Sequence, residues 1–175
     1  MADEFQYPLA EDHIDVLHQE LRVDPIDTIR IKLDELRKPP NIKIGSPADI
    51  FQVAKEMQDY DRERVKVIHL DMKNMVLAIE NVSEGSIGDA IVHPREVFKG
   101  SLLTNAAAIA MIHNHPSGDP QPSTEDMQIA ARLQKAGEIL GVPLLDFVII
   151  GVNRYISLKE ERLPPFGSMV HRHLE

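Results

Sequence analysis

The sequence predicts an α/β fold in which helices pack on the faces of a mixed β-sheet. Two observations favour this class. Apolar runs that are typical of strands alternate with stretches of helical periodicity from about residue 45 onwards. Two short turns, at 73–74 and 152–153, interrupt this alternation with hairpins, so part of the sheet should be antiparallel.

Local signals place the individual elements. Ser46 is a suitable N-cap, with Pro47 at the first helical position and Asp49 in the first turn. Gly141 and Pro143 end a long amphipathic helix whose apolar residues recur every three or four positions. The predicted helices cover about 47–59, 94–105 and 124–140. The predicted strands cover about 65–71, 75–82, 90–92, 106–112, 144–151 and 154–157.

The chain of 175 residues is long enough for one domain with a substantial core and short additional segments. Paired prolines at 39–40 and 164–165 interrupt the patterning towards its two ends. We therefore expect a helical, partly flexible extension at 1–44, one domain at 45–163 and a C-terminal tail at 164–175.

Composition argues against several classes of function. No apolar run approaches the length of about 18 residues that a membrane span needs, so no membrane association is expected. The absence of cysteine excludes disulfides and thiolate metal ligands and favours a cytoplasmic location. The formal net charge of −9 disfavours direct, tight binding to nucleic acid, which depends on Lys and Arg neutralising phosphates.

The stretch from His113 to Asp126 is the most informative part of the chain. His113 and His115 follow an apolar run two residues apart, so in a strand both imidazoles lie on the same face. A loop rich in Pro, Ser and Gly leads to Ser123, a good helix N-cap, and Asp126 falls in the next turn. Two imidazoles and one carboxylate, with a fourth position for water, form the ligand set of a catalytic zinc site. We predict one zinc ion per chain.

Each part of this stretch also has a structural explanation. A His-x-His pair in a strand is usually two half-buried histidines, and Ser123 with Asp126 is also a serviceable helix-capping pair. A second pair, His171 and His173, lies in a polar tail and is interpreted as solvated. The spacing of the whole stretch favours the metal site over these alternatives.

That spacing, which is His-x-His, seven residues, Ser, two residues and Asp, resembles the signature of the JAMM (JAB/MPN+) metallo-hydrolases. The wider sequence is similar to the RadC branch of that superfamily, from about Ser46 to Lys159. The segments that carry this similarity are 93–98, the Ala-rich strand, 113–119, 122–126 and 144–146. The resemblance implies a three-layer sandwich like that of cytidine deaminases. It also implies a zinc-dependent peptidase or isopeptidase with His113, His115 and Asp126 as ligands.

A hydrolase of this kind needs a general base that is not itself a ligand. Spacing alone leaves four glutamates open, at 63, 80, 84 and 96. The resemblance selects Glu63, which precedes the first core strand; the alternative is an exposed surface glutamate. Ser123 is expected to stabilise the oxyanion, and the alternative is that it only caps the helix. Both roles are compatible, because its hydroxyl can accept from the backbone and donate to the oxyanion.

Several residues near the predicted ligands are expected to have structural or supporting roles. Asn114 should point to the opposite face of the strand from the ligands and is interpreted as structural. Asp119 is interpreted as a turn residue. Asp146 could support a ligand histidine, and Phe147 stands where RadC relatives commonly have His. Arg95 could hold a substrate carboxylate, or it could form a surface ion pair with Glu96 at the start of the helix.

The leading hypothesis is a zinc-dependent hydrolase of amide or isopeptide bonds that acts on a peptide or isopeptide of unknown identity. The alternative is a non-catalytic zinc-binding accessory protein in DNA repair or of a mobile genetic element. Longer RadC relatives carry helix-hairpin-helix elements near the N-terminus, and the hairpins of these elements need glycines. No glycine precedes Gly45, so the DNA-binding role of that region is not transferred to this chain. A nucleobase deaminase is excluded, because its zinc ligands include cysteines. The sequence does not predict the oligomeric state.

Overall fold

The computed structural model of the protein describes residues 41–84 and 92–167. In chain order the elements are α1 (Pro47–Val53), a 3-10 helix (Lys55–Asp59), β1 (Arg64–Leu70), β2 (Val76–Glu84), α2 (Pro94–Leu103), β3 (Ala108–Asn114), α3 (Thr124–Leu140), β4 (Leu144–Gly151) and β5 (Arg154–Ser157). Most of the predicted N-terminal extension, most of the predicted strand at 90–92 and the pair His171–His173 lie outside the described residues. In 41–84 and 92–167, no helix has the length and hydrophobicity needed to cross a membrane.

The five strands form one mixed sheet in the order β2-β1-β3-β4-β5. Strands β3 and β4 are parallel and are connected by α3, whereas the other neighbouring pairs are antiparallel. Asn74 and Asn153 occupy the two predicted hairpin turns with φ of 60° and 53°, a left-handed conformation that asparagine tolerates well. The predicted α/β class with a mixed sheet is therefore confirmed.

Helices cover both faces of this sheet. On one face, α2 and α3 bury Phe98 and Leu133 against strand residues such as Met111. On the other face, α1 and the 3-10 helix bury Ile50 and Met57 against a second apolar cluster. Successive residues of β3 alternate between the two clusters, as the period of a strand requires, and this produces the three layers.

Several element boundaries differ from the sequence prediction by one or more residues, and two of these differences have a clear cause. The first helix was expected to run to about Asp59, but α1 ends at Val53 and the chain continues as a 3-10 helix, whose tighter turn buries Met57 completely. Strand β3 continues to Asn114, two residues beyond the predicted end at Ile112, because its parallel pairing with β4 extends that far.

A buried histidine lies in the sheet at a distance from the stretch with the paired histidines. The His69 Nδ1 atom is 3.1 Å from the hydroxyl oxygen of Ser101, and its Nε2 atom is 3.2 Å from a carboxylate oxygen of Glu80. Burial lowers the pKa of His69, although the nearby Glu80 carboxylate acts in the opposite direction.

This lowered pKa predicts a pH-dependent stability. Because His69 takes up a proton more readily in the unfolded chain, the free energy of unfolding should fall as the pH decreases through about 6.5. Between about pH 7.5 and about pH 5.5 the contribution of His69 should be at most about 1.4 kcal/mol. Urea unfolding of His69→Gln should show a shallower pH dependence than the original protein. His93→Gln, at an exposed histidine, is the control and should keep the original slope.

Candidate metal centre

The candidate site lies where β3 ends and α3 begins. His113 is on the face of β3 that packs against α2 and α3, and His115 follows directly after the strand. The loop after His115 returns the chain to the same edge of the sheet, where Ser123 caps α3 and Asp126 lies in its first turn. The three side chains that the sequence predicted as ligands are therefore brought together by one strand, one loop and one helix.

Distances between the ligand atoms are short. The Nε2 atom of His113 is 3.8 Å from Asp126 Oδ1, and the Nε2 atom of His115 is 3.5 Å from Asp126 Oδ2. The two imidazole rings meet edge to face, with 4.9 Å between their centroids. One ligand atom from each residue lies within 4.8 Å of the others, and burial decreases from Asp126 and His113 to the partly exposed His115.

Backbone carbonyl groups orient both imidazoles. The Nδ1 atom of His113 is 3.1 Å from the carbonyl oxygen of Arg64, and the Nδ1 atom of His115 is 2.8 Å from that of Asp119. A carbonyl oxygen accepts only, so in each neutral ring the Nδ1 atom carries the hydrogen. Each Nε2 atom is then left with a lone pair that points towards Asp126. This is the arrangement in which histidine binds a metal ion.

The two oxygens of the Asp126 carboxylate have different surroundings. Oδ2 accepts hydrogen bonds from the backbone N–H of Ser123 (2.8 Å) and from its hydroxyl (2.6 Å). The Ser123 hydroxyl oxygen accepts in return from the backbone N–H of Asp126 at 3.0 Å, which completes a capping box. The predicted capping role of Ser123 is confirmed, and its hydroxyl hydrogen is directed at the carboxylate.

The other oxygen, Asp126 Oδ1, suits a metal ion. It is buried, and within the described part of the chain it has no hydrogen-bond partner. A buried carboxylate oxygen in this state costs free energy unless something compensates it. A tetrahedral zinc ion with bonds of about 2.0–2.1 Å would separate its ligand atoms by about 3.3–3.4 Å. Here the His113 Nε2 and Asp126 Oδ1 atoms are 3.8 Å apart, and one ligand atom from each of the three residues lies within 4.8 Å of the others, so a modest contraction would produce that spacing. The donor set therefore fits zinc, with two Nε2 atoms and Oδ1 as ligands.

Without a metal ion the three groups influence one another electrostatically. Burial lowers the pKa of His113, even though Asp126 lies close to it. The neighbouring Asp126 carboxylate raises the pKa of His115. Burial alone would raise the pKa of Asp126, but hydrogen bonds from the protonated form of His115 and from Ser123 outweigh it, so this pKa is lowered. Asp126 therefore stays ionised, as a metal ligand must be.

Glu63 lies beside these residues. Its Oε2 atom is 4.0 Å from His113 Nε2, and its side chain is 30% exposed, so the carboxylate reaches both the site and solvent. Asn114 holds the backbone on both sides of Glu63, because its Oδ1 atom accepts from the N–H of Arg64 at 2.7 Å and its Nδ2 atom donates to the carbonyl of Arg62 at 3.1 Å. The sequence predicted a structural role for Asn114 but gave no signal that its amide would bracket Glu63.

Two of the other glutamates considered as bases have different contacts. Glu80 pairs with His69, and Glu96 forms ion pairs with Arg95 and Lys99 on the surface of α2. The contacts therefore place the Arg95–Glu96 pair at the surface. Of Glu63, Glu80 and Glu96, it is Glu63 that lies beside a candidate ligand. The side chain of Glu84 lies outside the described part of the chain.

One expectation about supporting residues is wrong. Asp146 does not orient a ligand histidine, because backbone carbonyls do so, and its carboxylate accepts hydrogen bonds from the Ser157 hydroxyl and the Lys159 backbone N–H instead. Phe147 is fully buried in the apolar core. Sequence separation gave no indication that β5 rather than β3 would be the partner of Asp146.

The fold and the site together define an α/β domain of the JAB type with a group of two histidines and one aspartate that could hold a metal ion. A family model described as the RadC-like JAB domain matches residues 44–163. The chain belongs to this family.

Curated relatives agree with this assignment. A UPF0758 protein of Desulfitobacterium hafniense is 53% identical over 118 residues, which is 67% of this chain and 52% of the relative. UPF0758 proteins of Methanosarcina mazei (44% over 131 residues) and Caldanaerobacter subterraneus (49% over 122 residues) match 74% and 69% of this chain. The matched regions are 57% and 52% of those relatives. The chain thus matches about half the length of these relatives.

The geometry predicts that the protein takes up about one zinc ion per chain. Asp126→Asn removes the charge of the buried carboxylate and should weaken zinc affinity by more than about 100-fold, since loss of an outer-shell partner alone costs about 10–100-fold. Competition with a chromophoric chelator would measure this, and elemental analysis would give the stoichiometry. Glu125→Gln, at the exposed neighbouring acid, is the matched control and should bind zinc like the original protein. Equal affinities for the original protein and Asp126→Asn would contradict the ligand assignment.

Proposed function

We propose that this domain is a zinc-dependent hydrolase of amide or isopeptide bonds. The observation that supports the proposal best is the buried Asp126 carboxylate, which lies near the Nε2 atoms of two oriented histidines and whose Oδ1 atom has no hydrogen-bond partner among the described residues. The Glu63 carboxylate lies beside this group. A set of three ligands leaves one position for water or substrate, as in catalytic zinc sites. The RadC-like JAB assignment supports the same class of reaction.

The ion would be held by His113, His115 and Asp126. Bound zinc supplies a Lewis acid, which lowers the pKa of a water molecule towards about 7 and polarises a carbonyl group. The protein keeps the three ligand atoms ready for this task, because two backbone carbonyls and a helix cap fix the side chains before any metal arrives. Little reorganisation is then needed on binding.

Glu63 would serve as the general base and then as the general acid. Its carboxylate is near the ligands but is not part of the three-residue set, which is what proton transfer to and from the reacting groups requires. Asn114 fixes the backbone on either side of it. A proton taken up on a Glu63 oxygen can pass to the leaving amine, since the carboxylate is open to solvent and substrate on its outer side.

Ser123 would stabilise the oxyanion. Its hydroxyl donates to Asp126 Oδ2 in the present arrangement, so this role requires the O–H bond to rotate towards the substrate. The capping interaction can persist during this rotation, because it uses the oxygen lone pair rather than the hydrogen.

The substrate would be a peptide or isopeptide. The net charge of −9 disfavours nucleic acid as a direct partner, because a protein with an excess of acidic groups repels phosphate groups at long range. The site is open on the side of Glu63 and His115, the two partly exposed members of the group, so an extended chain could approach from that side.

The proposal predicts that Glu63→Gln separates metal binding from catalysis. Zinc content should stay at about one per chain, while hydrolysis of peptide or isopeptide substrates should fall by about 100-fold or more, since a positioned base typically contributes 10²–10⁴-fold. A library of fluorogenic peptides and isopeptide-linked conjugates would be assayed with zinc-loaded protein. Asp61→Asn, at an exposed acid two residues away, is the control and should keep full activity.

Two outcomes would contradict the proposal, the first in the role of Glu63 and the second in the hydrolase activity itself. Activity that survives in Glu63→Gln with zinc still bound would remove Glu63 from the mechanism. A biological function that Glu63→Gln supports fully, with no hydrolysis detected in the original protein, would favour the non-catalytic accessory role.

A further inference from the structure

We propose that the β4–β5 hairpin positions the His115 imidazole. Arg154 holds the loop that follows His115, and Gly151 lets this loop approach the hairpin closely. The proposal rests on the zinc site described above. His115 follows the end of β3, so the geometry of the strand does not fix its side chain. Its orientation must come from the loop that follows it and from whatever holds that loop.

The loop is attached to the hairpin through its backbone. The His115 N–H donates to the Ile150 carbonyl at 2.9 Å, and the Val152 N–H donates to the Gly118 carbonyl at 3.1 Å. These two bonds span the segment from His115 to Gly118. They end one residue before Asp119, whose carbonyl oxygen accepts from the His115 ring.

Arg154 strengthens the same attachment. Its Nε and Nη2 atoms are each 3.4 Å from the Gly118 carbonyl oxygen, and Nη2 is 3.3 Å from the Asp119 carboxylate. The guanidinium therefore contacts both Gly118 and Asp119, and so restrains the backbone on the N-terminal side of the Asp119 carbonyl. A fork of donors on one carbonyl restricts its rotation more than a single contact does.

Gly151 makes the close approach possible. A Cβ atom at this position would collide with the Gly118 carbonyl oxygen and would be 2.7 Å from a ring carbon of Pro120. Any side chain there would push the loop away from the hairpin. Gly118 itself has φ of 79°, a conformation that is strained for other residues. The close contact between the loop and the hairpin therefore depends on a glycine on each side.

Electrostatics alone predicts the opposite effect of removing Arg154, and this makes the proposal testable. Loss of a positive charge near a zinc ion should tighten zinc binding. Loss of a positioning residue should weaken it, because His115 would sample orientations in which Nε2 no longer points to the ion. The sign of the change in zinc affinity therefore separates the two explanations.

We expect Arg154→Ala to weaken zinc affinity by about 10-fold, at the lower end of the range for outer-shell partners. Arg154→Lys keeps the charge but presents one ammonium group instead of a fork, and should recover part of the affinity. Gly151→Ala changes no charge and should weaken affinity in the same direction as Arg154→Ala. Arg132→Ala, at an exposed arginine of α3, removes the same charge and is the control.

The measurements are zinc affinity by chelator competition, thermal unfolding of the metal-free proteins, and absorption spectra of the cobalt-substituted proteins. The proposal requires a weaker affinity and altered cobalt bands in Arg154→Ala, with the melting temperature close to that of the Arg132→Ala control. An affinity for Arg154→Ala that equals or exceeds that of the original protein would overturn it, while the zinc site would stand. An original protein that binds no zinc would overturn both proposals.

Discussion

The parallel pairing of β3 with β4 is the constraint on which the site depends. Parallel neighbours cannot be joined by a tight turn, so the chain must leave the end of β3, cross one face as α3 and enter β4 from the opposite end. The start of the crossover helix is thereby fixed next to the end of β3. The two histidines lie at the strand end and the aspartate in the first turn of the helix, so this topology alone brings them within reach of one another.

Hydrogen bonds then orient the three side chains that the topology brings together. Taking a carboxylate and an imidazole out of water is unfavourable, and the structure offsets this by giving each of them a fixed partner at its second polar atom. For Asp126 the partner is the helix cap; for His113 and His115 it is a backbone carbonyl. The His113 Nε2 and Asp126 Oδ1 atoms are left facing each other at 3.8 Å, and this arrangement suits a metal ion better than a self-contained hydrogen-bond network does.

Most of the fold and the composition of the site could be predicted, because both depend on patterns among residues that are close together in the sequence. Alternation in β3, the cap at Ser123 and the asparagine turns each depend on a few adjacent residues. The orientation of the site was not predictable in the same way. The carbonyls of Arg64 and Asp119 carry no side-chain signature, and the guanidinium of Arg154 reaches the loop from a strand 35 residues further along the chain. Asp146 was misassigned for this reason, since its partner depends on which strand lies beside it.

The alternation of side chains along the end of β3 has a consequence for how folding and chemistry are linked. His113 presents its ring to one face of the sheet, while Asn114 presents its amide to the other and grips the backbone around Glu63. A slip of β3 by a single residue against its neighbours would exchange these faces, so it would remove a candidate ligand and release Glu63 in one step. Under the proposed function, misaligned chains would lose metal binding and hydrolysis together. Metal uptake would then report whether the sheet has formed in the correct register.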